Sequence, residues 1–179
     1  MKKILFSILS FFILPIVSFA VSNVNYDISN YYIKANILEN GDMKVKELIV
    51  LDGSFNGYER TINFKNNALD SYDEINFEHS SIYNFDGIKD VKISGKYMNN
   101  VSYSNIDDND YEEFSDNDFP VNGDKRKYIE YKDDSYNKYR MYYESKNNKV
   151  GFLIEYTVDN AVVMHNDLAE LYWQIFTGD

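Results

Sequence analysis

The sequence predicts an all-β domain, an antiparallel β-sandwich of Ig-like type closed by a short C-terminal helix. Three observations carry that expectation. Apolar and polar residues alternate with period two in many short runs. Gly- and Asn-rich turn signals separate those runs at short intervals. Tyr and Phe, both favoured on pleated surfaces, are abundant, with 17 and 12 copies.

The first twenty of the 179 residues stand apart from this pattern. Met1-Lys2-Lys3 is a short positive region, Ile4 to Ile16 an apolar run, and Ser18 and Ala20 small residues at the −3 and −1 positions. This is the pattern of an export signal cleaved between Ala20 and Val21. An uncleaved membrane anchor is the competing reading, because the run is nearly long enough to span a bilayer. Residues 21–179 then form one extracytoplasmic β-domain. The chain has no Cys, so no disulfide framework supports the fold and no lipidated Cys follows the leader.

Removing a leader that carries Lys2 and Lys3 and no acid takes the formal charge from −11 to −13. Such a balance disfavours nucleic acid and anionic lipid headgroups as partners, since both are polyanions. Lys125-Arg126-Lys127 is the obvious candidate for a cationic patch, and reads best as a solvated loop.

Along the chain, Tyr31, Ile33, Ala35 and Ile37 share one strand face, and Glu39-Asn40-Gly41-Asp42 signals a hairpin. Pairing Ile37 with Val45, Ala35 with Glu47 and Ile33 with Ile49 sets apolar residues against one another better than a strict two-residue loop. A three-residue loop with a bulge at Gly41 is therefore expected. Asp52 to Gly57 reads as a Gly-rich loop, after which Tyr58, Arg60, Ile62 and Phe64 share a face. In this register Glu47 and Arg60 both lean inward with opposite charge, so the two are expected to pair. Snorkelling of both to solvent at strand ends is the alternative.

Ile75, Phe77 and His79 suggest a weak strand, and Gly87 to Ser94 another. Residues 99–122, with the acidic stretch near 105–123, hold seven acids from Asp107 to Asp118 and read as a mobile loop. Tyr139, Met141 and Tyr143 mark a further strand. Lys146 to Lys149 then reads as a turn into Val150–Val158, whose long alternation makes it the expected central strand. Asn166 or Asp167 can cap a helix with Leu168, Leu171, Tyr172 and Ile175 on one face.

No catalytic constellation is visible. His79 and His165 are the two histidines, and no nucleophile elbow or phosphate loop is present. The spacing of Asp108, Asp110 and Glu112 invites a calcium reading, but the Gly and Glu required of an EF-hand are missing in either register. A solvated acidic loop is the reading, with a loose calcium site as the alternative. No catalytic, cofactor-binding or metal residue is assigned, and no cofactor is expected. Tyr136, Tyr139, Tyr142 and Tyr143 could offer a sugar-stacking surface or serve as ordinary strand residues.

Asn40 to Glu47, Gly53 to Gly57, Arg60-Thr61-Ile62, Ile154 to Val162 and Asn166 to Trp173 together resemble the domain of unknown function 2207 family, predicted bacterial membrane proteins. The resemblance brackets most of the mature chain, with Asp70 to Gly123 contributing little. It implies a signal peptide, an extracytoplasmic β-rich domain and transmembrane helices. The membrane contact would come through segments beyond Asp179, so the fold is expected to be incomplete there and the Leu171-Tyr172-Trp173 face under-covered. The function expected is a non-catalytic extracytoplasmic module with a structural role or a membrane-protein or cell-envelope partner. A carbohydrate or cell-wall polymer binding module is the alternative, followed by a carboxylate-dependent enzyme.

Overall fold

The computed structural model describes residues 23–63, 87–117, 119–120, 123–164, 169–171 and 173. The cleavage site at Ala20 and Val21, the expected strand at Ile75–His79, and His165 lie outside the described residues. The strands, in chain order, are β1 (Asn25–Ile37), β2 (Met43–Asn63), β3 (Gly87–Tyr97), β4 (Glu112–Glu113), β5 (Ser115–Asp116), β6 (Lys127–Lys132), β7 (Tyr136–Asp159), β8 (Val162–Met164) and β9 (Ala169–Leu171). A short 3-10 helix, Tyr103–Asp107, lies between β3 and β4.

Seven of these strands make one sheet, ordered β1-β2-β7-β3-β4, with β6 beside the first half of β7 and β5 beside β6. The pairings are antiparallel except for the two-residue β5–β6 contact. Val150–Val158 is central, flanked by β2 and β3. The all-β antiparallel class is thus established. What faces what is two halves of one continuous sheet rather than two separately bonded sheets.

Two expected turns are strand instead. β2 runs unbroken through Asp52–Gly57, and β7 through Lys146–Lys149. The turn-like residues are there because β7 bulges twice against β2 in this stretch, three of its residues spanning two of β2 each time. Their register slips between Gly53 and Gly57, where Gly53 pairs with Asn148 and Gly57 with Tyr142. Gly53 (φ 136°) and Asn147 (φ 54°) supply the left-handed backbone, and a Cβ on Gly53 would lie 2.3 Å from Asn25 O. The buried Ser145 hydroxyl shares its one proton between Gly53 O (2.8 Å) and Asn148 O (3.0 Å) and accepts from Asn148 N–H (3.3 Å), tying the bulged stretch of β7 to β2.

The bend is large. Glu47 and Arg60 belong to the same strand, thirteen residues apart, which a straight strand would separate by about 43 Å. Their side chains are nevertheless hydrogen-bonded, so β2 must fold back over itself. Tyr139, Met141, Tyr143, Phe55 and Ile62 from beyond the bend consequently share a core with Val45, Ile49, Phe152, Ile154 and Val158 from before it. Phe152 sits at the junction, its ring within about 6 Å of Phe55, Tyr58, Phe114 and Tyr143.

The opposite face of the sheet is covered too. Leu48, Val50 and Leu153 pack beneath Met98 and Ile106, and Gly151 leaves room for the Met98 thioether. Residues 99–117 are therefore not the free acidic loop expected. They hold a 3-10 turn and two short strands, with Ile106 and Phe114 buried. Apolar anchors spaced through the acids account for the difference, because composition alone averages them away.

The first hairpin also differs from expectation. Ile37 pairs with Met43, Ala35 with Val45 and Ile33 with Glu47, two residues off the expected register. The loop is Leu38–Asp42, closed by Leu38 N–H donating to Asp42 O (2.8 Å) and Gly41 N–H to Leu38 O (3.0 Å). A shift of two conserves which side chains share a face, so Glu47 still points inward.

Across Ala169–Leu171 the expected helix is replaced by β9, which pairs with β8, Val162 opposite Leu171. A short helix gains little by itself, whereas the hairpin satisfies backbone groups on both strands. Leu171 is 43% exposed, while Trp173 packs partly against the main core. The capping residues Asn166 and Asp167 lie outside the described residues. Among the described residues no helix is long and apolar enough to cross a membrane.

Candidate functional site

Among the described residues one carboxylate, that of Glu47, lies fully in the core. Period-two alternation along β2 puts Glu47 on the face carrying Val45 and Ile49, and its side chain is 1% exposed. An unpaired carboxylate there would be strongly destabilising. Four hydrogen bonds from three parts of the sheet prevent that. Tyr31 Oη on β1 donates to Oε2 at 2.5 Å, and Tyr156 Oη on β7 to Oε1 at 2.6 Å. Arg60, from the far side of the bend, donates Nε–H to Oε2 (2.8 Å) and Nη2–H to Oε1 (3.0 Å). The Arg60 fork also donates from Nη1 to Thr61 O at 2.6 Å.

These contacts set the charge states. Burial pushes the Tyr156 and Tyr31 hydroxyls well above the usual phenol range, and the neighbouring Glu47 charge pushes them further. Both stay protonated as donors. Burial works to lower the Arg60 value, but the hydrogen bonds and charge of Glu47 outweigh it, and the guanidinium is held charged. An ionised carboxylate offers about four lone-pair sites, and here four donors fill them. The node is thus a cross-brace between the two halves of the folded sheet, with no acceptor site left over for a reacting proton.

The structure brings Glu47 and Arg60 together. The sequence reading missed the two tyrosines, although a signal was present. Tyr31 and Tyr156 fall on the inward faces of their strands, and each is one same-face step from a residue directly opposite Glu47, namely Ile33 and Ile154.

A second polar cluster closes the sheet's end. Asp42, 7% exposed, accepts from Asn160 N–H (3.1 Å), Asn40 Nδ2 (2.9 Å) and Lys89 Nζ (3.2 Å). The Asn160 and Asn40 hydrogen bonds, with Lys89 beside them, hold its carboxyl below the usual range.

The acids that suggested calcium surround a lysine instead. Lys96 Nζ lies 2.7 Å from Asp108 Oδ2, also bonds Asp110, and sits 4.4 Å above the Tyr111 ring. Asn105 Nδ2 donates to the same Asp108 oxygen at 2.9 Å. Among the described residues no group of three or more His, Asp or Glu side chains could hold a metal ion. Lys125, Arg126 and Lys127 each face an acid, respectively Glu144, Glu112 and Asp124, so the run is not a free cationic patch. Of the four tyrosines weighed for sugar stacking, Tyr139 and Tyr143 are core residues. Tyr139 Oη donates to Glu130 at 3.0 Å, and only Tyr136 and Tyr142 are partly accessible.

Among the described residues, a groove of ≈ 340 Å³ lies at the bend, lined by Tyr26, Tyr58, Glu59, Arg140 and Tyr142 among others. A second, of ≈ 420 Å³, lies on the outer face near Lys44, Lys46, Asp90 and Lys92. A family model described as "Predicted membrane protein (DUF2207) N-terminal domain" matches residues 27–179. No curated protein and no solved structure matches the chain.

Proposed function

The chain belongs to the DUF2207 family of predicted membrane proteins, and from that premise we propose that it is a non-catalytic, extracytoplasmic module serving a structural or partner-binding role in the cell envelope. The single observation that supports this reading most is the saturation of Glu47. Glu47, the most deeply buried charged group among the described residues, is consumed by Tyr31, Arg60 and Tyr156, an arrangement that stiffens a sheet rather than moves protons. The leader-like first twenty residues support the extracytoplasmic placement.

Two measurements test it. A reporter enzyme active only outside the cytoplasm, fused after residue 63 or after residue 159, is expected to be active, and inactivity would overturn the placement. The purified protein, incubated with cell-wall glycan and wall peptides, is expected to return them unchanged by mass spectrometry. Turnover that is lost in Glu47→Gln would overturn the non-catalytic reading directly.

A further inference from the structure

We propose that the groove at the bend of β2 and β7 is a binding subsite for an uncharged oligosaccharide. It forms where β1 stops at Asn25, opposite Ser54, while β2 continues past it. Tyr26, near the start of β1 and packed edge-on against buried Phe55, lines it together with residues 56–59 and 140–142. Gly57 and Tyr142 are directly opposed across the strands, as are Glu59 and Arg140. All four therefore present one face, outward from the core, because same-face residues recur with period two.

The polar groups are fixed before any ligand arrives. Arg140 donates from Nε (3.0 Å) and Nη2 (2.9 Å) to Glu59 Oε2, while Lys138 Nζ lies 3.1 Å from Glu59 Oε1. The Arg140 guanidinium also lies 5.6 Å from the Tyr131 ring centroid, and Tyr142 follows two residues on along the same face. An Arg has five N–H donors in a rigid fork, more than Glu59 uses. Glu59 and Arg140 are nonetheless open to solvent, so a carboxylate acceptor and a planar donor sit side by side at the surface. Tyr26 and Tyr142 add aromatic surface next to them.

Sugar rings require this combination: hydroxyls that both donate and accept, and apolar C–H faces that pack on aromatic rings. Glu59 already offsets much of the charge of Arg140 and Lys138, and the chain as a whole carries −11, which disfavours a polyanionic wall polymer. At ≈ 340 Å³ the groove is at the small end of ligand sites, about 300–1,000 Å³, so a short stretch of sugar is the fitting occupant. This inference rests on the non-catalytic reading and deepens it by naming a partner class.

The test is a two-dimensional amide NMR titration of the protein with chitotriose, cellotriose and maltotriose at low-millimolar concentration. At least one is expected to shift amides of residues 56–59 and 140–142. Arg140→Gln and Tyr142→Ala are expected to weaken that binding by about tenfold or more, as loss of one charge-assisted contact implies. Tyr142→Phe should keep most of it, and Tyr103→Ala, an exposed residue packed on Tyr32 and outside the groove's lining, all of it. Unchanged spectra with all three sugars, shifts elsewhere only, or shifts from glycerol phosphate polymer or an extended peptide instead would overturn the proposal. Mass spectrometry of the recovered sugar separates the two readings. Cleaved sugar counts against the non-catalytic reading, and absent binding counts against this groove alone.

Discussion

Glu47 and Asp107 are both acids held by cations from distant parts of the chain, yet they sit in opposite surroundings. Glu47 lies in the core between Tyr31, Tyr156 and Arg60. Asp107 lies on the outer face, half exposed, 2.7 Å from Lys34 and 3.9 Å from Lys46. Lys34 and Lys46 are directly opposed on neighbouring strands, where like charges repel. Asp107 beside them and Glu155, 2.7 Å from Lys46, offset that repulsion. The same pairing chemistry thus has two meanings. In the core it joins the two halves of a folded sheet, and a lone partner cannot be rehydrated. On the outer face water replaces any partner that is lost.

The comparison breaks most readily at the core node. Glu47→Ala and Arg60→Ala are each expected to destabilise by about 3–5 kcal/mol, because each leaves an uncompensated buried charge. Chemical denaturation followed by circular dichroism checks this, and a loss near zero would show that the halves are not braced there. The double replacement Glu47→Leu with Arg60→Met should be milder than either single change, since no charge is stranded.

Tyr31→Phe and Tyr156→Phe probe the same node more gently. Each removes one hydrogen bond to a charged acceptor, expected to cost about 1.5–3 kcal/mol. The three remaining donors to Glu47 distinguish these variants from Arg60→Ala. A Tyr156→Phe loss as large as the Arg60→Ala loss would mean that the phenol, rather than the guanidinium, carries the brace.

The fold was legible where side-chain facing decided it. Period-two alternation placed Glu47 and Arg60 on inward faces, and put Val150–Val158 at the sheet's centre. It could not reveal that Asp52–Gly57 and Lys146–Lys149 run on as paired strand, with the bulges on β7. Gly and Asn serve a tight turn and a bulge through the same positive φ, so only the partner strand tells them apart. The acidic stretch was misread for a different reason. Charge density describes an average, whereas Ile106 and Phe114 act as individual anchors. The tyrosine donors to Glu47 escaped notice because Tyr is common here and fits any strand face.

Acid and alkali separate the two settings further. The Tyr31 and Tyr156 hydroxyls titrate above their ordinary value of 10.0 in the folded protein. Above pH 10 the unfolded chain therefore binds fewer of these protons than the folded one. The stability they contribute is full below that pH and declines as pH rises beyond it. In Tyr31→Phe the alkaline decline in melting temperature should be shallower than in the unaltered protein. Asp42, Asp108 and Glu59 titrate below the usual carboxylate range. Their contribution is full above the unfolded value near 4 and falls as acid protonates them. Asp108→Asn should correspondingly flatten the acid limb.

The smallest expected effect lies on the outer face. Lys34→Ala or Asp107→Asn removes a pair that water can replace, so a change of about 0–1 kcal/mol is expected. It should shrink further at high salt, because a Debye length of about 3 Å at 1 M screens exposed charges. Arg60→Ala should keep most of its cost at the same salt, since its partner is buried. Asp107 ends the 3-10 turn whose Ile106 is fully buried beneath the sheet, so the apolar anchor, and not the ion pair, is expected to hold this segment down. Ile106→Ala is the discriminating partner experiment. It should cost about 2–5 kcal/mol and expose the segment's amides to hydrogen exchange, whereas Asp107→Asn should leave their protection close to unchanged. If Asp107→Asn released the segment and Ile106→Ala did not, the outer charges rather than the small second core would be what orders the acidic stretch.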